Sequence, residues 1–220
     1  MAVKGDTLDL LGISPAAARI IRYFLIRPEA RPHARELQRA LELGGASLQR
    51  ELARMVTLGA LAGEKDGSRT RYAEVEGARI WKAVRILAAE STNPGPLLRD
   101  ALADIHGLDA AFVFGSSASG AGREDSDIDL FVVEGPSVDR RKMLRQLAEV
   151  GLILGREVNA VRYTIAALAE RLNDPGHPAW GFVREVLSAP KLWVAGQPSN
   201  IESLVTAAGI KPADFTRAAA

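Results

Sequence analysis

The chain has 220 residues and a net charge of +1, with 47% hydrophobic and 25% charged residues. These proportions are ordinary for a soluble globular protein, and the length allows one large domain or two smaller ones. The chain has no cysteine, which excludes disulfides and thiolate metal sites. Since the first residues lack a signal-peptide pattern and no run of about 18 apolar residues occurs, we expect a cytoplasmic protein with no membrane partner.

The first 77 residues predict three helices followed by a β-hairpin. Ser14-Pro15 is typical of a helix start, because serine caps helix N-termini and proline suits the first helical position. Asp66-Gly67 favours a tight hairpin turn. The predicted helices begin at Ser14-Pro15, His33 and Ser47, and the predicted strands cover residues 61–64 and 70–75.

This order of elements, with the phrases at residues 46–61 and 69–72, resembles a winged helix-turn-helix domain of ArsR- or MarR-type bacterial regulators. The resemblance implies double-stranded DNA as a partner, contacted by the third helix and the hairpin. Residues 1–90 carry 15 Lys and Arg against 11 Asp and Glu, which agrees with a nucleic-acid surface. Winged helices also serve as protein-protein modules, and this alternative stays open. The implied DNA-binding residues are Ser47, Gln49, Arg50, Arg54, Lys65, Arg69 and Arg71.

A change of composition after residue 90 predicts two domains. Residues 78–90 form a further helix, of the kind that supports homodimers in two-domain regulators. Residues 91–96, Ser-Thr-Asn-Pro-Gly-Pro, interrupt regular structure. We therefore expect a DNA-binding domain at 1–90, a linker at 91–96 and a second domain at 97–220.

The second domain contains two apolar strands joined by a polar loop. The strands are predicted at 110–114 and 128–133, with Gly115-Ser116 at the corner and Asp127 and Asp129 at the entry to the second strand. Alternation along a strand places both carboxylates on the same side. Two adjacent carboxylates repel each other, and a hard divalent cation such as Mg²⁺ relieves the repulsion.

The spacing Gly115-Ser116-x10-Asp127-x-Asp129 resembles the G-S-x10-D-x-D signature of minimal nucleotidyltransferases in the DNA polymerase β superfamily. The resemblance implies an α/β (α+β) domain with a short mixed β-sheet. It also implies that Gly115 and Ser116, with the nearby Arg123 and Ser126, contact ATP or another nucleoside triphosphate. Asp127 and Asp129 would hold the Mg²⁺ or Mn²⁺ that bridges it.

The sequence departs from this family in its third acidic residue. The family places a carboxylate on a later strand, but the corresponding phrase here is Glu157-Val-Asn-Ala-Val161, so Asn159 stands in its place. Asn159 offers an oxygen without a charge. Alternation along the predicted strand at 157–163 would put Glu157 on the same side, where it could substitute.

Two functions follow from these residues. In the first, the protein transfers a nucleoside monophosphate to a protein or small-molecule acceptor. In the second, it is a DNA-binding regulator whose nucleotidyltransferase-like domain senses nucleotide or is inactive. A toxin-antitoxin partner, found with some minimal nucleotidyltransferases, stays open as well.

The remaining chain predicts mainly helices. The basic residues of the predicted helix at 138–154, Arg140, Arg141, Lys142 and Arg145, are interpreted as its solvated side. Thr164 is predicted to cap one further helix and Ser199 to begin the last.

Overall fold

The structure is a computed structural model that describes residues 13–89, 93–119 and 126–211. The described residues divide into two compact units: unit 1 comprises residues 13–89 together with 152–154, and unit 2 comprises residues 93–119, 126–151 and 155–211. No helix among the described residues has the length and apolar character needed to cross a membrane.

The described part of unit 1 begins with three helices that pack around an apolar core. Ser14 starts the first helix as predicted, because its hydroxyl accepts a hydrogen bond from the backbone N–H of Ala17 at 3.1 Å. The prediction that Ser47 caps the third helix is wrong, since that helix begins at Gly45 and Gly44 is its cap. The helices are α1 (Pro15–Ile26), α2 (Ala34–Leu41) and α3 (Gly45–Thr57).

A hairpin and one helix complete unit 1. The strands β1 (Leu61–Asp66) and β2 (Arg69–Glu74) pair antiparallel around a two-residue turn. Gly67 in this turn has φ of +60°, a conformation that favours glycine. Helix α4 (Arg79–Ala89) follows, and the indole N–H of its Trp81 donates to the carbonyl oxygen of Ala60 at 2.8 Å. The predicted order of helices and strands in this unit is therefore confirmed.

Unit 2 contains a four-stranded mixed sheet, which confirms the predicted mixed α/β fold class. The sheet order is β5-β4-β3-β6, with β3 antiparallel to both neighbours and β4 parallel to β5. The strands are β3 (Leu108–Val113), β4 (Ile128–Glu134), β5 (Val158–Thr164) and β6 (Leu192–Gly196). The helices are α5 (Gly95–Leu102), α6 (Ser116–Ser119), α7 (Arg140–Leu154), α8 (Ile165–Asn173), α9 (Trp180–Ser188) and α10 (Glu202–Ala207).

Three element boundaries in unit 2 test the sequence predictions. Thr164 caps α8, because its hydroxyl accepts a hydrogen bond from Ala167 N at 3.2 Å, as predicted. Helix α5 starts at Gly95, so the predicted break at residues 91–96 ends two residues too late. Ser199 lies in a short 3₁₀ turn and does not begin the last helix, which starts at Glu202.

The central strands β3 and β4 carry the core of unit 2. Phe112 and Phe131 are fully buried and stack with their ring centroids 5.1 Å apart. Trp193 of β6 packs on Phe112 at 5.0 Å, and Ile201 and Val205 add to the same cluster. The face-to-face packing of these rings fixes the central strands, and the site described next lies at one end of them.

At the opposite end of β4, one buried carboxylate forms ion pairs with two more exposed arginines. Glu134 is 4% exposed, and its carboxylate accepts hydrogen bonds from Arg140 at 2.6 Å and from Arg162 at 3.3 Å. Lys142 Nζ forms an ion pair with Asp104 Oδ2 at 2.9 Å. Arg140, Arg141 and Arg145 are exposed, as expected for the solvated side of α7, whereas Lys142 is half-buried. The ion pairs of Arg140 and Lys142 also fasten α7 to neighbouring elements.

Candidate functional site

The glycine corner after β3 lies directly against the second carboxylate. The backbone N–H of Phe114 donates to Asp129 O at 3.0 Å, which aligns the end of β3 with the start of β4. Gly115 then turns with φ of +71°, and a Cβ at this position would lie 3.3 Å from Asp129 Oδ2. Glycine is favoured at this position for two reasons: it adopts a positive φ without strain, and it has no Cβ to crowd the carboxylate.

Asp127 and Asp129 form a pair of like charges at the entry to β4. Asp129 is half-buried and Asp127, one residue before the strand, is exposed. Burial raises the pKa of Asp129 above its usual value, and the charge of Asp127 raises it further. A bound cation would reverse both effects, since it would stabilise the two carboxylates in their ionised form.

Asn159 lies on β5 beside this pair. It is the register partner of Asp129 in the parallel strands, and its Nδ2 donates to Asp127 Oδ2 at 3.1 Å. The amide therefore occupies one acceptor position of the first carboxylate and supplies no charge of its own.

Glu157 lies outside β5, which begins at Val158, so strand alternation does not extend to it. Its backbone carbonyl accepts a hydrogen bond from Ile128 N at 2.8 Å, while its side chain is exposed. Among the described contacts, none joins its carboxylate to Asp127 or Asp129. The substitution of Glu157 for the missing acid stays a prediction.

Arg156 is a residue of the site that the sequence did not indicate. Its Nε donates to Ser126 O at 2.6 Å and its Nη2 donates to Ser117 Oγ at 2.6 Å. The hydroxyl of Ser117 in turn donates to Asp127 O at 3.0 Å. Desolvation lowers the pKa of Arg156, while the charge of Asp127 opposes that shift. One half-buried guanidinium thus ties the glycine-serine corner to the segment that carries the first carboxylate.

The residues around the corner contribute polar groups. Ser116 is exposed and begins the short helix α6, and Ser126 is half-buried. Arg123 lies outside the described residues. Within the described ranges, no cluster of three or more His, Cys, Asp or Glu side chains could hold a metal ion. The two aspartates fit a hard divalent cation only if triphosphate oxygens and water complete its coordination.

In unit 1, the predicted DNA-binding residues fall on α3 and the hairpin. Gln49, Arg50, Arg54, Lys65, Arg69 and Arg71 are exposed and Ser47 is half-buried. Arg71 is already engaged, because it donates to Asp66 Oδ2 at 2.7 Å and to Arg31 O at 3.2 Å. This guanidinium lowers the pKa of Asp66. DNA phosphates would have to compete with these contacts for Arg71.

One known domain family matches part of unit 2. Residues 96–187 match the family model described as a nucleotidyltransferase domain. The match supports nucleotidyl transfer. It begins in α5, includes the glycine corner, both aspartates and Asn159, and ends in α9 before β6. No curated protein and no solved structure matches the chain.

Proposed function

We propose that the nucleotidyltransferase domain binds a nucleoside triphosphate with a divalent cation and transfers the nucleoside monophosphate to a protein or small-molecule acceptor. The observation that carries the proposal is the position of Gly115 beside the Asp129 carboxylate, where a Cβ would lie 3.3 Å from Oδ2, next to Asp127. A glycine at this corner lets the backbone and a phosphate chain approach each other closely beside two carboxylates.

In this reaction a nucleophilic oxygen of the acceptor attacks the α-phosphorus, the bond between the α- and β-phosphates breaks, and pyrophosphate leaves with that electron pair. Bound Mg²⁺ or Mn²⁺ would neutralise charge on the phosphates. Asp127 and Asp129 would hold the cation, and Ser116 offers a hydroxyl and an N–H for phosphate oxygens. Arg156 would hold the corner and the Asp127 segment in register through Ser117 and Ser126.

The test is transfer of label from α-labelled nucleoside triphosphates to lysate components, with Mg²⁺ or Mn²⁺. Asp127→Asn and Asp129→Asn should each abolish transfer. Glu170→Gln, which neutralises a carboxylate that is 71% exposed on α8, is the matched control and should retain it. Equal labelling by all three variants and the wild type would refute the assignment.

A second function is favoured by Asn159. Its amide stands beside Asp127 without a third negative charge, which would weaken a second metal site. On this alternative the domain binds metal-nucleotide without turnover and acts as a sensor in a DNA-binding regulator. Nucleotide binding that is lost in Asp129→Asn, with no label transferred under any condition, would support the sensor.

We also propose that unit 1 binds double-stranded DNA through α3 and the hairpin. The support is the exposure of Arg50 and Arg54 on one helix, together with the helix-helix-helix-hairpin order. Replacing both arginines by alanine should weaken binding to a mixed-sequence duplex and reduce the slope of log K against log salt by about 2. The control Arg141→Ala with Arg145→Ala removes two exposed charges from unit 2 and should leave the slope unchanged. Equal slopes for all three proteins would show that Arg50 and Arg54 do not contact DNA phosphates. A homodimer through α4 and a partner protein encoded alongside remain proposals.

A further inference from the structure

Unit 1 contains a cavity that the DNA-binding proposal does not use. It has a volume of about 240 Å³ and lies between α1, α3 and α4. Its walls are mainly apolar and include Ile21, Met55, Trp81 and Val84. Pockets for drug-sized ligands measure about 300–1,000 Å³, so this cavity suits a smaller molecule.

Two charged side chains, Glu51 and Arg54, interrupt this apolar wall. Glu51 of α3 lines the cavity and is 16% exposed. Its Oε1 accepts a hydrogen bond from the hydroxyl of Ser14 at 2.7 Å, which fixes the orientation of the carboxylate. The same hydroxyl also accepts from Ala17 N, so Ser14 is held in place by α1. The carboxylate is therefore preorganised.

The second oxygen of this carboxylate lacks a hydrogen bond. Oε2 of Glu51 is buried and accepts no hydrogen bond from any residue that the structure describes. The nearest cation is Arg54 Nη1 at 3.9 Å, beyond hydrogen-bond distance, on a side chain that is 69% exposed. A buried acceptor without a donor is unfavourable by about 1–3 kcal/mol, and native proteins rarely leave one without a partner.

We propose that this cavity binds a small apolar molecule that carries a cationic amine. The aliphatic or aromatic part would fill the space beside Met55, Trp81 and Val84, and the ammonium would donate to Glu51 Oε2. A cationic donor is favoured over a hydroxyl because it also neutralises the charge of the buried carboxylate, and buried charges in proteins are normally paired. Glu51 also lines a second pocket with Arg50 and Ser47, so the ligand would lie directly behind the proposed DNA-binding helix.

The test is titration calorimetry of the full chain with three probes of one chain length: hexylammonium, hexan-1-ol and hexanoate. Saturable binding of hexylammonium, at least tenfold tighter than that of hexan-1-ol and without binding of hexanoate, is expected. Glu51→Gln keeps an oxygen for Ser14 and removes the charge, so it should weaken hexylammonium at least tenfold and leave hexan-1-ol unchanged. Glu64→Gln, an exposed carboxylate on β1, is the charge control and should bind like the wild type.

A second variant locates the ligand without touching the carboxylate. Ile80→Trp places a larger side chain at a half-buried position of the cavity wall and should abolish binding of both hexylammonium and hexan-1-ol. Thermal unfolding of each variant verifies that it is folded. The proposal is overturned by equal affinities for amine and alcohol, by an unchanged affinity in Glu51→Gln, or by no saturable binding, which would leave water as the occupant.

Discussion

Arg156 gives the sharpest test of how the proposed nucleotidyl-transfer site is held together. Arg156→Gln removes both hydrogen bonds of the guanidinium, to Ser126 O and to Ser117 Oγ. A hydrogen bond made by a charged group contributes about 1.5–3 kcal/mol. Because Arg156 is only half-buried, we take the low end and expect the free energy of unfolding to fall by about 3 kcal/mol.

Part of this loss should affect the affinity of the proposed metal site. Ser117 also donates to Asp127 O, so the backbone of the first carboxylate is released together with the guanidinium. If about 1.4 kcal/mol of the lost energy had positioned Asp127, the affinity for Mn²⁺ would fall tenfold. Arg156→Lys keeps the charge and one donor, and should recover most of the affinity.

The assay is Mn²⁺ binding measured by electron paramagnetic resonance, together with urea unfolding of the same proteins. Arg140→Gln is the matched control, because it breaks a hydrogen bond to Glu134 at the other end of β4. It should destabilise the domain and leave Mn²⁺ affinity unchanged. If Arg156→Gln and Arg140→Gln weaken Mn²⁺ equally, or if Arg156→Gln only destabilises, the positioning argument is refuted.

Three further predictions concern single side chains. Asn159→Asp should lower the stability of the metal-free protein, since it removes the hydrogen bond to Asp127 and adds a like charge. The same substitution should increase Mn²⁺ affinity and nucleotidyl transfer at least tenfold. If stability and Mn²⁺ affinity both rise or both fall, the prediction is contradicted. Asp129→Asn should stabilise the metal-free protein at pH 7 in urea unfolding. Because its pKa is raised in the folded state, Asp129 favours folding when protonated, and that contribution is lost as the pH rises through the folded pKa. The advantage of the variant should therefore shrink on acidification, and a pH-independent advantage would argue against it. Trp81→Phe removes the indole N–H that donates to Ala60 O, which still accepts a hydrogen bond from Val75 N, and should reduce the free energy of unfolding by about 0.5–1.5 kcal/mol, whereas an unchanged denaturation midpoint would contradict a stabilising role for the indole hydrogen bond.

The sequence predicted features that depend on neighbouring residues. Ser14 and Thr164 cap helices as expected, because a hydroxyl reaches an N–H only three residues ahead. The location of Asp129 on β4 also followed from the apolar residues around it. Ser47 failed as a cap because two glycines precede it, and Gly44 can start the helix without a side-chain partner.

The features that the sequence missed depend on distant contacts. The partners of Arg156 lie 30 and 39 residues away, and one of them is a backbone carbonyl, which no residue pattern reveals. The ion pair of the exposed Arg140 was not predicted, because nothing local shows that Glu134 is buried. Ser199 preceded a helical pattern, but the helix starts at Glu202, after the buried Ile201.

The strand β6 has a practical consequence for producing the nucleotidyltransferase domain alone. The family match ends at residue 187, whereas β6 pairs with β3 from Ala110 to Val113 and Ile210 still belongs to the core. A protein shortened to residue 187 would present β3 as an open edge with Phe112 uncovered, and open apolar edges pair with other molecules. Such a protein should aggregate, and a soluble version of this domain needs the chain through Ile210.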